Sequence, residues 1–253
     1  MAYRIRARRG GFSYSRFFST GVKWLLISNI TLFVIYYFSV IAGYAWLFHP
    51  FGLIPQDVVG HFAIWQFVSY MFLHDPLGFG HILFNMLALW MFGSDLEQLW
   101  GTRRFLNYYF LCGIGAGLCV VVANLIFNGD HLNTRTIGAS GAIYGLLLAF
   151  GMTYPDREIL MSFLFPIKAK YFVMIMGGIA FMSSFGGSGS GVSNVAHLGG
   201  MLFGYVYLRT YRPRQGFLSS LRSWYQDYKL HRAKKKFQVY LKKRGSGDDR
   251  WVN

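Results

Sequence analysis

The sequence predicts an all-α polytopic membrane protein, and three observations carry that reading. Of the 253 residues, 54% are hydrophobic and only 14% are charged, where a soluble domain usually holds about a quarter charged residues. Long apolar runs recur along the chain and the mean hydropathy is +0.33, as expected when a bilayer is the solvent. The basic residues also take sides. Six apolar segments leave 24 of the 25 Lys and Arg on one face of the membrane and only Arg135 on the other.

The first span is read over Val22–Phe48, after a basic head holding Arg4, Arg6, Arg8, Arg9 and Arg16. No small-residue pattern closes it as it would a cleavable signal peptide. His49 to Gly78 is rich in aromatics, carries Pro50, Pro55 and Pro76, and has no Lys or Arg. It is too broken to cross and too apolar to be solvated, so a structured segment lying partly in the outer interface is expected. Five further spans follow at Phe79–Leu99, Phe105–Phe127, Gly138–Tyr154, Tyr171–Phe185 and Asn194–Leu208. No seventh span is expected in either tail.

The positive-inside bias makes both termini cytoplasmic, so spans two, four and six all run from outside to inside. Span four supplies only about 25 Å of helix against a hydrocarbon core of about 30 Å. Its outer end is therefore expected below the outer surface, where free N–H groups need protein or water as partners. Cys112 and Cys119 share one apolar run at i, i+7 and read as two small core residues rather than a disulfide. Ser183 to Asn194, with glycines at 186, 187, 189 and 191, reads either as a mobile outer flap or as a plain connector. The chain thus divides into a basic cytoplasmic segment (1–21), a six-span domain (22–210) and a basic cytoplasmic tail (211–253). The tail fits either attraction to anionic lipid or topology control. The net charge of +15 flanks the membrane and comes with no recognition motif, which argues against nucleic acid as a partner.

Polar residues inside spans are functional candidates by default. His81 and Asn85 are four apart and so share a helix face near the outer end of span two. Ser140 stands at the outer end of span four, and His197 about one turn into span six. Each alone has a structural reading: Ser140 as a packed interface residue, Asn85 as interhelical glue, His81 as a cap, His197 as a satisfied core imidazole. Together at one depth they point to chemistry. A serine hydroxyl becomes a nucleophile when a neutral histidine takes its proton. The resulting oxyanion needs donors, which the Ser140 N–H at a helix N-terminus and the His81 and Asn85 side chains could supply. No Asp or Glu is placed to orient His197, so a Ser–His dyad is expected rather than a triad. Gly141 and Gly145, like Gly200 and Gly204, have the small-xxx-small spacing that lets helices approach closely. The soluble-hydrolase elbow is broken by Ala142. No HExxH zinc signature occurs, and neither a metal nor a cofactor is expected. A transporter would carry its polar residues on to the inner side, whereas here they stop in the outer half.

These residues resemble the rhomboid intramembrane serine proteases over roughly residues 22–210. The GxSG motif of that family reads Gly138-Ala139-Ser140-Gly141, its HxxxN motif runs from His81 to Asn85, and its AHxxGxxxG motif from Ala196 to Gly204. The resemblance implies a six-helix rhomboid-like bundle of the basic bacterial form in the bacterial inner membrane. It implies Ser140 as nucleophile, His197 as general base, and an oxyanion site of His81, Asn85 and the Ser140 backbone. Gly138, Tyr144 and Gly200 would support them, with Tyr144 stacked on the catalytic histidine. Glu97 and Gly101 match a recurring pair after span two. The substrates implied are single-span membrane proteins that unwind near the outer face of the lipid bilayer. A catalytically silent relative that binds membrane proteins is the alternative. Trp65-Gln66 departs from the usual Trp-Arg of the first loop. His74 lies farther from His81 than in familiar bacterial members and is given no role.

Overall fold

The computed structural model describes residues 19–127, 132–161, 165–184 and 190–210. The basic head, residues 185–189 of the proposed flap and the basic tail lie outside the described residues, while 190–194 of that flap are helical. Helix α1 spans Thr20–Ile41. Its apolar surface runs all round, and Trp24, Phe38 and Ile41 are each more than 60% exposed, which suits a helix facing lipid. It is shorter than the expected span. Gly43, at φ +80°, turns the chain, and a 3-10 segment with Pro50 inside takes over at Ala45–Phe51.

The proline-rich stretch after it is ordered, as α2 (Pro55–His61), α3 (Gln66–Ser69) and a 3-10 turn at Tyr70–Phe72. Its aromatics Phe62 and Trp65 are exposed, as is Trp46 on the 3-10 segment before it. Gln66 is buried at its centre, where Oε1 accepts from Ile54 N–H at 2.8 Å and Nε2 donates to the Pro50 carbonyl at 3.3 Å. Then α4 (Phe79–Ala88) runs through a π turn at Leu89–Gly93 into α5 (Ser94–Trp100).

The buried Glu97 carboxylate ties the start of α1 to α5. It accepts from Ser19 Oγ at 2.5 Å, Gly21 N–H at 2.7 Å, Val22 N–H at 2.8 Å and Thr102 Oγ1 at 2.6 Å. Three of these donors are at or beside the N-terminal turn of α1, which has no other acid in its first turn. Gly101, at φ +81°, reverses the chain into α6 (Thr102–Phe127).

Helix α7 (Ser140–Thr153) is the innermost element, with Gly141, Ala142, Leu146 and Ala149 all buried. It packs against both α6 and α9 (Ser190–Thr210), which also pack on each other, and it touches α8 (Ala169–Ser184). The helices touch through glycine. A Cβ on Gly200 would stand 1.9 Å from the Gly141 carbonyl oxygen, and one on Gly145 would stand 3.1 Å from the Gly200 oxygen. Gly204 serves a different contact: its Cβ would meet Tyr108 Oη of α6 at 2.4 Å. Cys112 is buried in the same seam, and neither it nor Cys119 is paired.

Two expectations need correction. The fold is not purely helical, because Glu158–Met161 (β1) and Phe165–Lys168 (β2) form an antiparallel hairpin, with Ile159 opposite Ile167. The hairpin is stitched at its base by Arg157 to Asp95 at 2.6 Å and Lys170 to Asp156 at 2.9 Å. Also, α9 begins four residues before Asn194, so His197 lies about two turns into its helix rather than one. Among the described residues two helices, Thr20–Ile41 and Thr102–Ile126, are long and apolar enough to cross a membrane, while Ser140–Thr153 and Ala169–Ser184 are apolar but shorter.

Candidate active site

The backbone before α7 is an irregular strap, Thr136–Ala139, hung on the first loop. Thr136 and Leu53 exchange N–H···O bonds at 2.8 and 2.9 Å, and Gly138 N–H donates to the Tyr70 carbonyl at 2.9 Å. Gly138 must be glycine for two reasons. Its φ is +124°, and a Cβ there would lie 2.8 Å from His81 Nε2. The strap ends at Ser140, whose N–H is among the free donors at the start of a helix with no side-chain cap.

The close α7–α9 seam puts His197 Nε2 2.9 Å from Ser140 Oγ. The His197 ring stacks on Tyr144, one turn beyond Ser140, with centroids 4.1 Å apart and planes within 3°. Its Nδ1 is buried and has no hydrogen-bond partner among the described residues, so no carboxylate orients it there. Asn85 is buried, and its Nδ2 likewise finds no acceptor among the described residues. Ser140, His197, His81, Asn85, Gly138 and Tyr144 all line one cavity of about 720 Å³, which continues between α4 and α8 along Met91 and Met176. Gly200 is not in its wall. It sets the distance between the two helices that carry the hydroxyl and the imidazole.

His74 is the neighbour that sequence spacing did not assign. It is fully buried, and its ring meets His81 edge to face at 5.1 Å. Burial, with His81 adding repulsion, pushes its pKa down to about 3. Between these histidines the chain makes a turn in which Gly78 N–H donates to the Asp75 carbonyl and Leu77 N–H to the Asp75 side chain. Among the described residues no cluster of His, Cys, Asp and Glu has the makings of a metal site.

The arrangement can transfer an acyl group: a hydroxyl with a base at hydrogen-bond distance, beside free N–H donors, in a partly open hollow. Known proteins agree with the motif resemblance. The chain is 30% identical over 155 residues to a rhomboid protease, GluP, of Bacillus subtilis, covering 61% of this chain and 27% of that protein. It is 33% identical to the mitochondrial rhomboid protein 1 of Saccharomyces cerevisiae, covering 51% of this chain and 37% of the yeast protein. It is 30% identical to RHOMBOID-like protein 1 of Arabidopsis thaliana, covering 75% and 46% respectively. The chain thus spans less than half the length of each of these relatives. The rhomboid domain model matches residues 61–214, more than half of the chain and all of the residues that line the hollow around Ser140. On that match, the chain belongs to the rhomboid family.

Proposed function

We propose that the chain is an intramembrane serine endopeptidase, cleaving peptide bonds in or near transmembrane segments with a Ser140–His197 dyad. The observation that carries this reading is the 2.9 Å approach of Ser140 Oγ to His197 Nε2. The hydroxyl donates to Nε2, and its oxygen attacks the scissile carbonyl carbon as the proton passes to the imidazole. The oxyanion accepts from Ser140 N–H, His81 and Asn85. Collapse breaks the C–N bond, and the amine leaves with the proton from His197. Water then repeats the sequence on the ester and frees Ser140. Tyr144 holds the imidazole plane through both halves, a task that a carboxylate performs in a triad. The chemistry calls for no metal or cofactor.

The substrates are single-span membrane proteins. A helical peptide bond is internally bonded, so segments of weak helix propensity reach the hydroxyl most readily. The cavity between α4 and α8 leads from the bundle surface to the dyad and suits such a strand. The protein would sit in a bacterial inner membrane as six spans (22–210), with the basic segments 1–21 and 211–253 in the cytoplasm.

A fluorophosphonate probe and a single-span reporter test this together. The wild type should label and cleave, while Ser140→Ala and His197→Ala should do neither. Labelling that survives Ser140→Ala would remove the nucleophile assignment. A wild type that never labels or cleaves would turn the reading to a catalytically silent, membrane-protein-binding relative.

A further inference from the structure

Arg135 stands alone among the basic residues as the one the charge map leaves outside, and the dyad chemistry makes no use of it. It sits where three elements meet. Nη1 donates to Tyr36 Oη on α1 at 3.0 Å, and Nη2 donates to the Phe48 carbonyl of the first loop at 2.9 Å. The guanidinium also lies 5.6 Å from the centroid of the Tyr36 ring. Its stem crosses Gly52 so closely that a Cβ there would lie 2.2 Å from Nε. Gly52 has φ −76°, which any residue adopts, so its glycine is required for space and not for backbone freedom. The next residue after Arg135 opens the strap that ends in Ser140.

We propose that Arg135 is a positioning residue: it clamps α1 and the first loop to the strap, and so fixes where Gly138 and the Ser140 N–H stand relative to the dyad. The proposal rests on the protease reading for its kinetic consequence. The physical case is that the strap has no secondary structure of its own. Its place depends on the Leu53–Thr136 and Tyr70–Gly138 backbone bonds, and the first loop that supplies them is itself held at Phe48 by Arg135. A planar guanidinium fixes two acceptors in a set geometry with charge-assisted bonds, which an ammonium cannot reproduce. A drift of about 1 Å in a catalytic donor can cost about a hundredfold in rate.

Four variants of the full chain test the clamp: Arg135→Ala, Arg135→Lys, Gly52→Ala, and Arg135→Ala with Gly52→Ala. Gly52→Ala is expected to unseat the guanidinium while leaving its charge. Arg135→Ala should lower the maximal labelling rate by about tenfold to a hundredfold, with the half-saturating probe concentration within twofold of wild type. Arg135→Lys should not restore the rate. Gly52→Ala should match Arg135→Ala, and the double variant should be no slower than Arg135→Ala alone, because the clash needs the arginine stem. A wild-type rate in Gly52→Ala, or losses that multiply in the double variant, would overturn the clamp. Amide exchange reads the clamp independently of turnover. The N–H groups of Thr136 and Gly138 should exchange at least tenfold faster in Gly52→Ala, while those in α6 keep their rates; unchanged exchange at the strap rejects the proposal. Failure of the protease reading shows elsewhere, as an unlabelled wild type or a labelled Ser140→Ala.

Discussion

In Gly200→Ala, the new methyl carbon would stand 1.9 Å from the Gly141 carbonyl oxygen, against about 3.4 Å for an ordinary contact. The obstacle is backbone, so no rotamer change relieves it. Helix α7 cannot retreat either, because the Gly141 Cα faces Ala116 of α6 so closely that a Cβ there would lie 2.5 Å from the alanine methyl. The helix pair must therefore open by about 1.5 Å, with α9 moving. The Ser140–His197 separation, 2.9 Å at rest, then passes the limit of a useful hydrogen bond. We expect labelling by a fluorophosphonate and cleavage of a single-span reporter to fall by at least a hundredfold. The overpacking itself should cost only about 1–3 kcal/mol of stability, visible as a modest drop in Tm. Gly178→Ala is the control, since nothing stands within 4 Å of its would-be Cβ; it should behave as wild type. Gly200→Ala with activity within threefold of wild type would refute the argument that this seam sets the dyad.

Asn85→Ala removes a buried Nδ2 with no acceptor of its own among the described residues, and should slow cleavage by about 10 to 1000-fold, as loss of one oxyanion donor does; an unchanged rate rejects the donor role. Glu97→Gln puts an amide NH₂ against donors that now meet a carboxylate. It should cost about 2–4 kcal/mol in unfolding measurements, with rate per folded molecule retained. His74 is held neutral, with its pKa pushed from 6.5 to about 3 by burial. The unfolded chain takes up that proton first, so stability should fall as pH drops below about 6.5 toward 3, at up to about 1.4 kcal/mol per pH unit. Melting curves across that range should be flatter in His74→Gln, and equal slopes would contradict the assignment.

Much of the helical framework was readable in advance because an apolar run declares its own length, and because residues four apart on a helix share a face wherever the helix is placed. That is why spacing alone puts His81 and Asn85 on one helix face, whereas Tyr144 enters only through the family resemblance. The glycine spacing pointed to a close α7–α9 contact for the same local reason. It could not say that Gly204 would face Tyr108 of α6 instead, since partner choice depends on how three helices rotate about their axes. The hairpin at Glu158–Lys168 went unread because its strands are only four residues each and carry little alternation.

The sequence by itself determined which residues could do chemistry and at which helix ends they stand, for these follow from residue type and from periodicities built into the backbone. Only the tertiary structure decided that a hydroxyl and an imidazole 57 positions apart come within a proton's transfer distance, that His74 leans on His81, and that Arg135 joins Tyr36 to Phe48. Those facts belong to close-packed surfaces meeting across the bundle, and no stretch of chain contains both sides of such a contact.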